Sequence, residues 1–138
     1  MQYLHNALEL LKVHEGYRQF PYACSLGIQT IGYGRNLEHR GLSKEEAGYL
    51  LEQDVKLAEQ FLFDYDYYFQ LSGNRKAVMI DMTVNMGPTR LRGFKKMHAA
   101  LTERNYELAA LEMLDSLWAR QVGGRAITLS KIMHSNQL

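Results

Sequence analysis

The chain has 138 residues, 46% of them hydrophobic, which suits one compact domain burying roughly two-thirds of its unfolded surface and leaves little room for a second module. Its formal charge is only +1, divided unevenly: 6 Lys/Arg against 10 Asp/Glu from Met1 to Asn74, and 10 against 5 from Arg75 to Leu138, a distribution that does not by itself identify a partner. No stretch approaches the ~20 consecutive apolar residues of a membrane-spanning helix, no N-terminal apolar run ends in a small-residue cleavage site, and the lone Cys24 excludes an internal disulfide, so the expectation is a chain made in the cytoplasm without stable membrane insertion.

From Tyr3 to Glu15, the residues Leu4, Ala7, Leu8 and Leu11 recur at helical spacing, which predicts a first helix with one apolar face. Gly16 ends it, because glycine adopts the left-handed conformation that closes a helix without steric cost. Pro21 then interrupts, and Ile28-Gln29-Thr30-Ile31 with Tyr33, punctuated by Gly27, Gly32 and Gly34, reads as a small hairpin sheet. Ser43 with Glu46 forms a capping-box pattern, and Ala47, Leu50, Leu51, Val55 and Ala58 continue as a helical stripe toward Phe61.

Asp64 to Leu71 reads as a bend whose rings, Tyr65, Tyr67, Tyr68 and Phe69, pack onto neighbouring helices; no basic interleaving supports nucleic-acid binding there. Ser72 caps a run to Met86 that is apolar on nearly all sides, the pattern of a buried central helix, and Gly87-Pro88 stops it. Two helices follow, roughly Phe94 to Thr102 and Tyr106 to Asp115, the second capped by Asn105. Trp118 and a Gly123-Gly124 break precede a last helical segment from about Arg125. There is no internal repeat or linker. The chain reads as α+β, mainly α: a small N-terminal lobe with a hairpin sheet, a helix leading out of it, and a larger C-terminal helical lobe.

The five histidines, His5, His14, His39, His98 and His134, never form an i, i+4 pair around a Glu, and no second cysteine completes a zinc knuckle. No Gly-x-Ser-x-Gly elbow or phosphate-binding glycine loop is present, and the expectation is neither metal nor organic cofactor. Glu15 stands at the predicted C-terminal end of a helix, where the negative end of the macrodipole disfavours an ionised carboxylate, the direction a general acid needs. Eight residues separate it from Cys24 and five separate Cys24 from Thr30, which opens Thr-Ile-Gly-Tyr-Gly. Each has a plain alternative: Glu15 a solvated helix end, Cys24 a small core hydrophobe, Thr30 a β-branched strand residue, Gly32 and Gly34 mere turn formers.

This spacing resembles the phage-type lysozymes, glycoside hydrolase family 24, whose N-terminal pattern is Glu, eight residues, Asp or Cys, five residues, Thr. Further similarity lies in His14-Glu15-Gly16-Tyr17-Arg18, Tyr22, Ser43-Lys44-Glu45-Glu46-Ala47, Asn85-Met86-Gly87, Gly93-Phe94, Trp118 and Arg125-Ala126, so that the likeness runs from about Leu4 to Arg125. It implies a single lysozyme-like catalytic domain over residues 1–138, with an N-terminal lobe of about 12–60 and a helical lobe of about 1–11 and 61–138. It also implies hydrolysis of the β-1,4 bond between N-acetylmuramic acid and N-acetylglucosamine in peptidoglycan. Glu15 would be the acid, Cys24 and Thr30 would hold the attacking water, Arg125 would lie near or pair with Glu15, Asn85 would hydrogen-bond substrate, and Gly34 would let the backbone approach the sugar chain. In most relatives Asp stands where this chain has Cys24, so the thiol acts either as a thiolate or as a weaker hydrogen-bonding partner.

The short segment between Gly34 and Ser43 implies a trimmed N-terminal lobe with fewer sugar subsites, and no separate wall-binding domain is expected. The resemblance makes the protein a phage or prophage endolysin, a monomer produced in the host bacterial cytoplasm that depends on a holin-type permeabilising partner to reach the wall. Two alternatives stand beside it. One is a lytic transglycosylase using Glu15 alone; the other is a non-catalytic lysozyme-like module that binds glycan or serves as a phage structural piece.

Overall fold

The computed structural model describes residues 1–138, which group into two compact units, Met1–Tyr49 and Leu50–Leu138. In the first, helix α1 (Gln2–Glu15) closes where expected: Gly16 takes φ 69° and its N–H reaches Lys12 O at 3.1 Å. Leu4, Leu8 and Leu11 do share a face of α1, but that face is exposed and the helix buries no residue. Strands β1 (Arg18–Ala23), β2 (Gln29–Gly32) and β3 (Arg35–Asn36) form an antiparallel sheet in the order β1-β2-β3, with Thr30 opposite both Tyr22 and Asn36.

Pro21 does not interrupt this sheet. It sits inside β1, an edge strand, where the missing N–H leaves no central ladder bond open, and the β1–β2 register is irregular between Arg18 and Tyr22. Thr30, on the central strand β2, is the one buried side chain of the unit. Helix α2 (Lys44–Leu62) begins on the predicted capping box with both bonds made: Ser43 N–H donates to Glu46 Oε1 at 2.9 Å and Glu46 N–H to Ser43 Oγ at 3.1 Å.

The division between the units falls within α2, and α1 groups with the sheet; the sequence-based boundaries had assigned residues 1–11 to the helical lobe and ended the N-terminal lobe near 60. The difference follows from contacts at the end of α1, where Glu15 meets Gly34 and Tyr17 meets Tyr33.

The second unit holds the core. A 3₁₀ helix (Asp66–Gln70) occupies the expected bend and buries Tyr67 and Tyr68, while Phe69 stays exposed and stacks on Phe63 at 5.4 Å. Helix α3 (Gly73–Met86) starts at Ser72, whose Oγ accepts from Arg75 N–H. It is not apolar-buried on nearly all sides: Val78, Met79, Met82, Thr83 and Met86 face inward, whereas Ala77 and Val84 are exposed, so the helix packs by one broad stripe.

Gly87 ends α3 and Pro88 immediately starts the short α4 (Pro88–Arg92), since proline's fixed φ suits a first helical position as well as it blocks an interior one. Then come α5 (Lys95–Thr102), α6 (Tyr106–Leu114) capped by Asn105, α7 (Leu117–Val122), and α8 (Gly124–Ser135). Met79, Met82, Met86, Met97, Met113 and Met133 meet Leu62, Tyr68, Leu101 and Trp118 in one cluster. Flexible thioethers fill the irregular gaps that short helices leave. Each such side chain taken from water contributes about 1.5–3 kcal/mol.

Candidate active site

Cys24 follows β1 and opens a four-residue turn, its C=O accepting from Gly27 N–H at 2.8 Å and its N–H donating to Ile28 O at 3.0 Å. Gly27 supplies the positive φ of 77° that this return requires. The half-buried thiol lies in the turn, beside the backbone N–H groups of Leu26 and Ile28 and the side chain of Thr30. These donors, the Leu26 amide first, favour the thiolate over partial desolvation and hold the Cys24 thiol below the usual cysteine range.

Thr30 Oγ1 also lies 2.9 Å from Ile28 O. That carbonyl takes the one proton of the hydroxyl; turned toward the sulfur instead, the same O–H would favour a thiolate.

Glu15, the last residue of α1, is exposed, and its carboxyl lies on the backbone of Gly34 in the turn between β2 and β3. A side chain at Gly34 would place its Cβ 2.7 Å from Glu15 Cδ and 3.2 Å from Cγ, and closer still to Oε2. Gly34 also has φ 73°, a conformation that favours glycine, and a Cβ there would have to displace the neighbouring carboxyl. The first unit thus places Cys24 beside Thr30 and Glu15 on Gly34, with Thr30 and Gly34 only four residues apart along one strand and its turn.

The remaining sequence-derived residues lie in the helical unit. Asn85, exposed on α3, accepts a 2.7 Å hydrogen bond at Oδ1 from Trp118 Nε1, leaving its amide NH2 without a protein partner. Arg125 on α8 is paired with Asp81 of α3, Nε at 2.8 Å and Nη2 at 2.6 Å from Oδ1. The same unit carries a pocket of about 540 Å³ floored by Phe94, Met97 and Trp118, with Arg90, Lys95 and Lys96 as well as Glu112 and Asp115 around it.

A model of the phage lysozyme family matches residues 12–132. The chain belongs to that family. The match takes in Glu15, Cys24, Thr30, Gly34, Asn85 and Arg125 alike. The chain is also similar to "Probable T4-type lysozyme 2" of Dictyostelium discoideum, 26% identical over 101 residues, which make up 70% of this chain and 59% of that protein. The mainly helical architecture with a small antiparallel sheet is the α+β fold that such a relationship requires. No helix is long and apolar enough to cross a membrane.

Sequence reasoning missed the surroundings of Glu15. Tyr17 and Tyr33 bring their rings to 5.7 Å, and Arg35 forms an ion pair with Glu46. Glu46 was legible as a helix cap, but a second use of its carboxylate has no local signature, since Arg35 lies eleven residues away across a loop. His98 was equally silent. It is half-buried, with Nδ1 2.7 Å from Tyr67 Oη, Nε2 2.8 Å from Leu91 O, and its ring stacked on Tyr65 at 4.3 Å. Burial among these groups holds the imidazole below its usual range.

Proposed function

We propose that this chain is a muramidase of glycoside hydrolase family 24, a single lysozyme-like catalytic domain that hydrolyses the β-1,4 bond between N-acetylmuramic acid and N-acetylglucosamine in bacterial peptidoglycan. One observation carries the reading: in a member of the phage lysozyme family, a single three-stranded sheet carries both the Cys24–Thr30 pair and the Gly34 turn on which the Glu15 carboxyl rests.

Glu15 gives its proton to the glycosidic oxygen as the bond to the anomeric carbon breaks, and positive charge develops on the sugar ring. Cys24 and Thr30 hold water for attack from the opposite face. The water oxygen bonds to the anomeric carbon, its proton leaves toward the sulfur, and the configuration inverts. A thiolate in the turn stabilises the oxocarbenium-like centre as the carboxylate of relatives with Asp would; donors that lower the thiol's pKa make that form accessible. The Asn85 amide nitrogen, oriented by Trp118, donates to substrate, and Arg125, steadied by Asp81, offers a cation to an acidic group of the polymer. Gly34 allows close approach of the glycan to backbone.

The test is to incubate pure protein with isolated peptidoglycan and weigh the released fragments by mass spectrometry. Hydrolysis yields muramic ends heavier by one water than the anhydro ends of a lytic transglycosylase. Reducing muramic ends are expected. Anhydro ends would favour the transglycosylase, which needs no second carboxylate, and binding without release would indicate a non-catalytic module.

A further inference from the structure

Two neighbouring contacts stitch the end of α1 to the turn between β2 and β3. The Glu15 carboxyl lies against Gly34, and two residues on, the Tyr17 ring meets the ring of Tyr33. The corner they rest on is weakly built in its own right. Gly32 and Gly34 flank Tyr33 with φ 68° and 73°, and β3 is only two residues long, paired to β2 through Thr30–Asn36 and Ile31–Arg35.

Arg35 ties this corner to something larger. Its guanidinium pairs with Oε2 of Glu46, the two side chains being 22% and 36% exposed. Oε1 of the same carboxylate accepts from Ser43 N–H, and Glu46 N–H donates to Ser43 Oγ, so the anion is fixed at both oxygens and its backbone is fixed as well. A half-exposed ion pair contributes little to global stability. This one, however, joins a two-residue strand to the first turn of a nineteen-residue helix, at the residue next to the glycine that contacts the acid.

We propose that Arg35 and Glu46 are positioning residues for Glu15: their ion pair fixes the Tyr33-Gly34-Arg35 corner and thereby the place from which the carboxyl delivers its proton. The proposal rests on the muramidase reading above and adds to it two residues that touch no substrate. It also gives the capping carboxylate two jobs that mutation can separate. In Glu46→Gln the amide oxygen still accepts from Ser43 N–H, while the charge that holds Arg35 is gone.

On solubilised glycan strands, Arg35→Gln and Glu46→Gln should each lower kcat about 10- to 100-fold with KM nearly unchanged, the signature of a displaced catalytic group. Arg35→Lys should recover part of the loss, and the Arg35→Gln/Glu46→Gln double variant should be no slower than either single one. Wild-type kcat in both single variants, a double variant whose loss is the product of the two, or a loss that only tracks the unfolded fraction in a thermal melt would overturn the proposal. A second readout needs no turnover. The NMR resonances of the Glu15 carboxyl carbon and the Gly34 amide should shift together in Arg35→Gln and return toward wild-type positions in Arg35→Lys; unmoved resonances would overturn it too. An inactive wild type whose resonances respond in this way would instead remove the muramidase reading and leave the positioning intact.

Discussion

Gly34 and Gly32 form a matched pair for testing whether the turn sets the position of Glu15. Both have a positive φ, 73° and 68°, so Ala at either position is strained, by about 1–2 kcal/mol. At Gly32 a new Cβ meets nothing within 4 Å; at Gly34 it would lie 2.7 Å from Glu15 Cδ. Ordinary contact begins near 3.4 Å, and the exposed Glu15 side chain is free to swing, so the clash resolves by moving the carboxyl rather than by unfolding. A retreat of about 1 Å by a reacting group lowers rate on the order of 10²-fold. The two variants should therefore melt alike, yet Gly34→Ala should release reducing ends from peptidoglycan about 10²-fold more slowly than Gly32→Ala when rates are normalised to folded protein. Equal rates in the two variants would refute the argument that Gly34 is glycine on account of Glu15.

Other outcomes follow from the electrostatics and packing. Burial of the His98 imidazole against Tyr65 and Tyr67 lowers its pKa, outweighing the Leu91 carbonyl, so the unfolded chain binds its proton more readily than the folded one. Its contribution is complete above about pH 6.5 and is lost as pH falls through the lowered folded value, at up to about 1.4 kcal/mol per pH unit; urea titrations from pH 7 to 4 should show a shallower decline in His98→Gln. Alkylation of Cys24 by iodoacetamide should follow a midpoint below that of free cysteine, and Thr30→Val, which removes one donor to sulfur, should move the midpoint up; an unchanged midpoint would remove the hydroxyl from the thiol's environment. Arg75 donates to Met133 O at 2.7 Å and His134 O at 3.0 Å at the end of α8 and lies 3.7 Å over the Tyr106 ring, so Arg75→Ala should cost about 2–3 kcal/mol in denaturant unfolding, with Arg75→Lys between it and wild type.

Elements with a local cause were legible in the sequence. Gly16 as a helix stop, Ser43 with Glu46 as a capping box, and Ser72 and Asn105 as caps act through bonds within four residues, and each appears as read. Pro21 was misread because its meaning depends on whether its strand is an edge, which topology alone decides. Helix α7 was legible only as Trp118 and a glycine break, since six residues are too few for periodicity to register, although Ser116 caps it in the usual way. In the candidate site, spacing singled out Glu15, Cys24 and Thr30, which lie at the end of α1, in the turn after β1 and on β2. Asp81 as the partner of Arg125 and Arg35 as the partner of Glu46 were not visible, because they depend on which helix faces and strand ends fold together.

The central claim is that the carboxyl of Glu15 is the acid that cleaves the glycan strand. Glu15→Gln changes one exposed atom at the end of α1 and should leave the melting temperature unchanged. Reducing-end release from peptidoglycan by the wild type, with a fall of three or more orders of magnitude (~10³-fold) in this variant, is the predicted result; a Glu15→Gln protein that degrades peptidoglycan at the wild-type rate would contradict it.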